Sequence, residues 1–113
     1  MVIYRSVEKM NEARKKEIRK IADHYGLEAQ MNVAIEELAE LTQAIARYRR
    51  YTGCDQERKR HLIACMEEEI ADTEVMIAQM QYLLKAEQRV EREIDYKIDR
   101  QLRRMEEEGE QSK

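Results

Sequence analysis

The chain contains no proline and only three glycines among its 113 residues. Tight hairpins depend on glycine-containing turns, and strands are enriched in aromatic residues, whereas phenylalanine and tryptophan are absent here. Charged residues make up 40% of the chain, which is rich in the strong helix formers Ala, Glu, Lys, Leu and Arg. This composition excludes an all-β fold and predicts an all-α protein built from long helices.

The length and charge of the chain limit what it can be. A chain of 113 residues provides one core, so we treat residues 1–113 as a single domain. The net charge of −3 argues against a dedicated nucleic-acid binder, and no stable nucleic-acid partner is expected. No apolar run is long enough to cross a bilayer, and the N-terminus has no apolar signal region. We therefore expect a cytoplasmic protein without a membrane partner, in which Cys54 and Cys65 are reduced thiols.

Apolar residues recur at helical spacing in four segments, which predicts a bundle of four to five helices. Gly26 and Gly53 are expected to end the first two helices, and Asp55 is a candidate N-cap for the third. The boundary near residues 85–88 has no such signal, and residues 106–113 form a polar tail expected to fray. The apolar stripes are Val7, Met10, Ile18, Ile21 and Tyr25; Met31, Ala34, Ile35, Leu38, Leu41, Ile45 and Tyr48; Leu62, Met66, Ile70, Ile77, Met80 and Leu84; and Val90, Ile94, Ile98, Leu102 and Met105.

The acidic residues are concentrated where bases are missing. Residues 27–46 and 62–84 contain no lysine or arginine but nine acids. A solvated helix face usually interleaves the two signs, because opposite charges at i,i+4 stabilise a helix and like charges destabilise it. Another source of positive charge is therefore needed to neutralise these acids, and a divalent cation is the simplest one.

Helical geometry places two pairs of these acids on matching rows. Glu37 and Glu40 lie along one edge of the second stripe, and Glu69 and Asp72 lie on the same side of the third. Residues spaced i,i+3 are close enough to hold one ion, and carboxylates suit hard cations such as Mg²⁺ or Mn²⁺. The alternative is an ordinary solvated face, because Glu-x-x-Glu arises often by chance in a chain this charged.

The motif Glu36-Glu37-x-x-Glu40 followed by Glu69-x-x-Asp72 resembles the EExxE…ExxD signature of the all-α NTP pyrophosphatase superfamily, and the surrounding strings are similar to MazG-like proteins. The resemblance covers a motif core of about residues 30–84. It implies a MazG-like, oligomer-forming bundle and a Mg²⁺-dependent hydrolase, with Mn²⁺ as a substitute. Such an enzyme cleaves a nucleoside triphosphate to a monophosphate and pyrophosphate, and it works as a homodimer or homotetramer.

The resemblance also implies roles for individual residues. Glu37, Glu40, Glu69 and Asp72 would be metal ligands, and Glu36 would orient water or contact a second metal. Either Glu36 or Glu40 would accept the proton of the attacking water. The downstream basic elements match approximately at Lys97 and Arg100, which would bind substrate phosphates or else belong to a solvated face. An amide at Gln30 could read a nucleobase edge.

Other functions stay open from the sequence. The main alternative is a non-catalytic helical oligomerisation or regulatory module, although such a module has no need of all five motif acids. The basic segment 47–61 could hold a triphosphate or stack a base, or it could be an ordinary interhelical loop. A zinc site at Cys54, His61 and Cys65 is disfavoured, because a fourth ligand is missing.

Overall fold

A computed structural model describes the backbone of residues 2–111 and the side chains of residues 12–111. This part of the chain forms four helices, α1 (Val2–Tyr25), α2 (Leu27–Arg50), α3 (Gln56–Leu83) and α4 (Glu87–Gln111), and no strand. The all-α prediction is therefore confirmed. The predicted stripe positions Val7 and Met10 lie outside the described side chains.

Two of the helix boundaries form where the sequence predicts them. Gly26 separates α1 from α2 with φ at 86°, a left-handed conformation that glycine adopts without a Cβ clash, and its N–H donates to the Ala22 carbonyl over 2.8 Å. At the start of α3, the Asp55 carboxylate accepts from the N–H groups of Glu57 and Arg58 at 3.0 and 3.3 Å. It thus satisfies two backbone donors that the first turn leaves free.

The third boundary is made without glycine. Lys85 takes the left-handed conformation, with φ at 55°, between α3 and α4. Its N–H donates to the Tyr82 carbonyl over 3.0 Å, and the Ala86 N–H donates to the Gln81 carbonyl over 2.9 Å. This pair of hydrogen bonds is the Schellman arrangement that usually has glycine at the position of Lys85. The missing glycine explains why the sequence leaves this boundary unassigned.

The packed body consists of α1, α2 and α3. The hydrogen bond between Gln30 and Gln79 and the closeness of the Glu40 and Glu69 carboxylates, with oxygens within 4.8 Å, show that α2 and α3 run antiparallel. Helix α1 packs mainly on α3, and Tyr82 donates a 2.8 Å hydrogen bond to Asp23. Small side chains at the contacts allow the helices to approach closely. The buried apolar residues are Ala22, Ala34, Ala44, Leu62 and Met76.

A polar contact lies inside this core. The side-chain amide of Gln30 donates to the Gln79 carbonyl over 2.7 Å, and Gln79 is only 2% exposed. Each amide would be costly to bury alone, because it would lose its hydrogen bonds to water. The pair therefore fixes the alignment of α2 against α3 near the open end of the hairpin.

Helix α4 makes few contacts with the described residues of the packed body. Among the described side chains none of its residues is buried, and its contacts with the described part of the other helices lie near its start, where Arg19 pairs with Glu87 at 3.2 Å. Its predicted apolar stripe is about half exposed, and the helix continues through the polar tail as far as Gln111. On α1, Ala22 rather than Ile21 or Tyr25 enters the core. The predicted bundle is thus a three-helix body with α4 attached at one end.

No helix within residues 2–111 combines the length and the apolar character needed to cross a membrane.

The buried amide pair makes a prediction about stability. Replacing Gln79 with Ala leaves the Gln30 amide buried without its partner, so we expect the free energy of unfolding to fall by about 1–3 kcal/mol. Guanidinium chloride denaturation followed by circular dichroism measures this change. The double variant Gln30→Met, Gln79→Met removes both polar groups and should lose much less, whereas Arg14→Ala, which breaks an exposed ion pair, should change little. Equal losses in the single and double variants would contradict this account.

Candidate metal centre

Three carboxylates from two helices converge at the middle of the α2–α3 pair. Glu37 and Glu40 lie one turn apart on α2, and Glu69 faces them from α3. One oxygen of each carboxylate lies within 4.8 Å of the corresponding oxygens of the other two. The predicted i,i+3 pair on α2 is therefore joined by its predicted partner on α3, and we call these three residues the acidic cluster.

The acidic cluster is partly shielded from water. Glu37 and Glu69 are half-buried, and the Oε2 atom of each is inaccessible and has no hydrogen-bond partner within the described residues. Glu40 is exposed. Two carboxylate oxygens thus sit out of solvent with free lone pairs, a state that costs free energy unless a proton or a cation occupies them.

Protonation is one response to this crowding. Burial first, and then the charges of Asp72, Glu40 and Glu69, raise the pKa of Glu37 from 4.5 to about 7. Burial and the charge of Glu40 also raise the pKa of Glu69. Both shifts describe the chain without a cation, because a bound cation would favour the charged carboxylates instead.

The acidic cluster also fits a hard divalent cation. Ligand oxygens around an octahedral Mg²⁺ lie about 3 Å apart when adjacent and about 4 Å apart when opposite, so the three oxygens, now within 4.8 Å of one another, would have to draw together by side-chain rotation to coordinate it. The donors are all carboxylate oxygens, which suit Mg²⁺ or Mn²⁺ rather than zinc. The unpartnered Oε2 atoms of Glu37 and Glu69 are the donors that such an ion would take up.

The two remaining motif acids lie outside the acidic cluster. Asp72 is exposed, and its charge acts on Glu37 and Glu69, but it is not among the three acids brought closest together. Glu36 is also exposed and is not among the described carboxylates that converge in the cluster. The metal role of Asp72 and the catalytic role of Glu36 stay predictions.

The predicted substrate-binding residues are spread through the structure. Gln30 is buried, and its amide N–H is taken up by Gln79. Lys97 is exposed on α4, and Arg100 is half-buried with its guanidinium 5.8 Å from the centre of the Tyr96 ring. Neither base forms a salt bridge with the acidic cluster among the side chains of residues 12–111. Their substrate roles stay predictions.

A cleft of about 360 Å³ opens beside the acidic cluster, between α2 and α3. Sequence reasoning assigned no role to Gln43 and left Arg47 undecided between a loop and a phosphate contact, yet both line this cleft. The available signal was spacing, since Arg47 follows Glu40 by two helical turns and so lies on the same face. The residues lining the cleft are Glu40, Gln43, Ala44, Arg47, Cys65, Glu68 and Glu69.

The two cysteines are free thiols. Cys65 lies 3.7 Å from the Nε2 atom of His61, one turn earlier on α3, while Cys54 is exposed in the preceding loop. The described side chains bring no third sulfur, nitrogen or carboxylate ligand to this pair.

Comparison with known proteins adds no identification. A scan against protein-family models finds no match, and neither a curated protein nor a solved structure matches the chain.

The raised pKa of Glu37 predicts how stability depends on pH. The unfolded chain releases this proton near pH 4.5, whereas the folded chain without a cation holds it up to about pH 7, so the folded state binds more protons between these values. The contribution of Glu37 is therefore fully present below pH 4.5 and is lost as the pH rises through 7. In buffer containing EDTA, Glu37→Gln should flatten the fall in unfolding free energy between pH 5 and pH 8, measured by guanidinium chloride denaturation.

The control for this measurement is Glu107→Gln on the exposed end of α4, which should keep the wild-type pH dependence. If Glu37→Gln and the wild-type protein lost equal amounts of unfolding free energy over this pH range, the raised pKa of Glu37 in the folded protein would be wrong.

Proposed function

We propose that the protein is a Mg²⁺-dependent nucleoside triphosphate pyrophosphohydrolase, which cleaves NTP or dNTP between the α and β phosphates. The observation that carries this proposal is the convergence of Glu37, Glu40 and Glu69, with two shielded oxygens that lack partners. The similarity of the motif to the all-α NTP pyrophosphatase signature supports it. The cleft beside the acidic cluster supports it further, because a substrate needs an open approach to the metal.

The proposed roles follow from the chemistry of phosphoanhydride hydrolysis. Water attacks the α phosphorus, the bond from that phosphorus to the bridging oxygen breaks, and pyrophosphate leaves with the bridging oxygen. Glu37, Glu40 and Glu69 would hold the cation, with Asp72 adding negative charge nearby. Bound Mg²⁺ would neutralise phosphate charge and lower the pKa of a coordinated water.

A carboxylate of the chain must accept the proton of the attacking water. Glu40 is the stronger candidate of the predicted pair, because it belongs to the acidic cluster, is exposed and lines the cleft. Glu36 would need to act from outside the cluster, through an intervening water. The substrate contacts assigned to Lys97 and Arg100 would require α4 of another copy or a movement of α4.

We further propose that a second copy of the chain covers an apolar face of the α2–α3 pair. On α2, the half-exposed residues Met31, Ile35, Leu38 and Ile45 follow a seven-residue repeat, and Ile35 is 66% exposed. Along α3 and at its C-cap, four apolar residues recur every seven positions and are also exposed: Ile63, Ile70, Ile77 and Leu84. We call these two rows together the apolar face.

Helical geometry puts the two rows of the apolar face on one side of the hairpin. On each helix, the row lies about 90° around the helix axis from the side that faces the other helix. The direction of this rotation, viewed along the chain from the N-terminus to the C-terminus, is the same on both helices. Because the helices run antiparallel, equal rotations point to the same side of the pair. The acidic cluster lies towards the other side. Two such faces related by a twofold axis would form a four-helix core, which leaves both acidic clusters open to solvent.

A non-catalytic oligomerisation module is the second candidate function, and the apolar face is the observation that favours it. It differs from the enzyme in what it requires of the carboxylates. A module would still dimerise if the carboxylates were removed, whereas the hydrolase would lose its activity. A cytoplasmic location and the absence of a stable nucleic-acid partner stay predictions under both functions.

The hydrolase proposal predicts Mg²⁺-dependent release of pyrophosphate from one or more members of a panel of canonical and modified NTPs and dNTPs. EDTA should abolish it. Replacing Glu40 or Glu69 with Gln removes a ligand charge while keeping the side-chain volume, so turnover should fall by about 100-fold or more. Ion chromatography of the monophosphate and pyrophosphate products measures the rate.

Glu74→Gln is the matched control, because Glu74 is exposed on α3 outside the acidic cluster. It should keep wild-type turnover. Loss of the free Mn²⁺ signal in electron paramagnetic resonance measures metal binding independently of turnover. An active Glu40→Gln, Glu69→Gln double variant, or a wild-type protein that neither binds Mn²⁺ nor hydrolyses any member of the panel, would refute the proposal.

The proposal that a second copy covers the apolar face predicts a particle of at least twice the 13.6 kDa chain mass in sedimentation-velocity ultracentrifugation. Ile35→Glu places a charge in the centre of the apolar face and should shift the protein towards the monomer, because the charge would have to be desolvated in the interface. Tyr25→Glu alters an exposed residue on α1 outside that face and should leave the mass unchanged. A wild-type monomer at micromolar concentration would contradict the proposal.

A further inference from the structure

A positive charge lies in the cleft beside the acidic cluster. Among the residues that line this cleft, Arg47 is the one that carries a positive charge. Its side chain is exposed and makes no ion pair with any other described side chain. The guanidinium is therefore available to a ligand that enters the cleft.

The position of Arg47 on α2 directs it towards the acidic cluster. It follows Glu40 by seven residues, which places the two on the same helix face with Cα atoms about 10.5 Å apart along the axis. Side chains on a helix lean towards its N-terminus. This general lean would carry the Arg47 side chain back along the cleft, which Gln43, Ala44 and Glu40 also line, towards Glu40.

We propose that Arg47 binds the terminal phosphates of a triphosphate whose α phosphate lies at the acidic cluster. This inference rests on the proposed function and specifies where the phosphate chain runs, namely along α2 from Glu40 towards Arg47. The planar guanidinium presents paired N–H donors that match two phosphate oxygens, which gives orientation as well as charge. Gln43, between the two ends of the cleft, offers a neutral amide donor that does not repel the chain.

The charges in the cleft make this binding dependent on a cation. Glu40, Glu68 and Glu69 line the same cleft, so three carboxylates face one arginine when no metal is bound. A polyphosphate would be repelled from that surface. With a divalent cation on the acidic cluster the balance reverses, and Arg47 then supplies the positive charge at the far end. Lys97 and Arg100, by contrast, are not among the described residues that line this cleft.

The test compares Arg47→Ala with Arg49→Ala, which removes an exposed arginine more than half a turn away on the same helix. The probe is preformed Mg²⁺–tripolyphosphate, titrated into the protein by isothermal calorimetry. Arg47→Ala should weaken its binding about ten-fold, Arg47→Lys should weaken it less, and Arg49→Ala should leave it unchanged. Inorganic monophosphate, which is too short to reach both ends, should bind the wild type and Arg47→Ala alike.

A second measurement separates this inference from the proposed function. For a hydrolysed NTP, Arg47→Ala should raise KM about ten-fold, while Mn²⁺ binding to the acidic cluster stays at the wild-type level. If the wild type hydrolyses NTP and the Arg47 and Arg49 variants behave alike, the inference is overturned and the proposed function stands. If the wild type does not hydrolyse NTP but binds Mg²⁺–tripolyphosphate through Arg47, the inference stands alone. A wild type that binds no tripolyphosphate overturns it.

Discussion

The close packing of α2 against α3 holds like charges together. Glu69 would move away from Glu37 and Glu40 if α2 and α3 were free in water, because carboxylates repel one another at this distance. They stay together because burial of Ala34, Ala44 and their apolar neighbours stabilises the helix pair. Partial burial and the repulsion between these carboxylates raise the pKa of Glu37 to about 7. The same packing leaves the Oε2 atoms of Glu37 and Glu69 without hydrogen-bond partners among the described residues. The candidate metal centre is thus a consequence of packing between the helices.

The same hairpin has two sides with different chemistry. The acidic cluster and its cleft lie towards one side, where polar and charged side chains face water. The apolar face lies on the other, with rows of isoleucine and leucine that no described part of the chain covers. This separation would allow one hairpin to support both the proposed assembly and the proposed chemistry, because an interface on one side would not block access to the other. Exposed apolar surface of this extent usually marks an interaction site.

The sequence predicted the elements of the fold well, and it predicted part of the candidate site. The helices and the breaks at Gly26 and Asp55 are confirmed. The sequence could predict them because helical periodicity and capping depend on residues close together in the chain. The boundary at Lys85 has no glycine. It is formed by backbone hydrogen bonds that the residue types there do not predict. Periodicity also predicted α4 as a helix with an apolar stripe. It did not predict that the stripe would be left half exposed, since that depends on where the helix lies.

The sequence alone determined which residues share a helix face, because the 3.6-residue repeat fixes that relation within each helix. It therefore paired Glu37 with Glu40 and Glu69 with Asp72. Only the tertiary structure decided that Glu69 completes the acidic cluster while Asp72 stays at its edge, and that Gln30 is held by Gln79. It also decided that Arg47 shares a cleft with the acids. The physical reason is that contacts between helices depend on their relative rotation and offset, which are set by side-chain packing across the interface and not by the repeat within either helix.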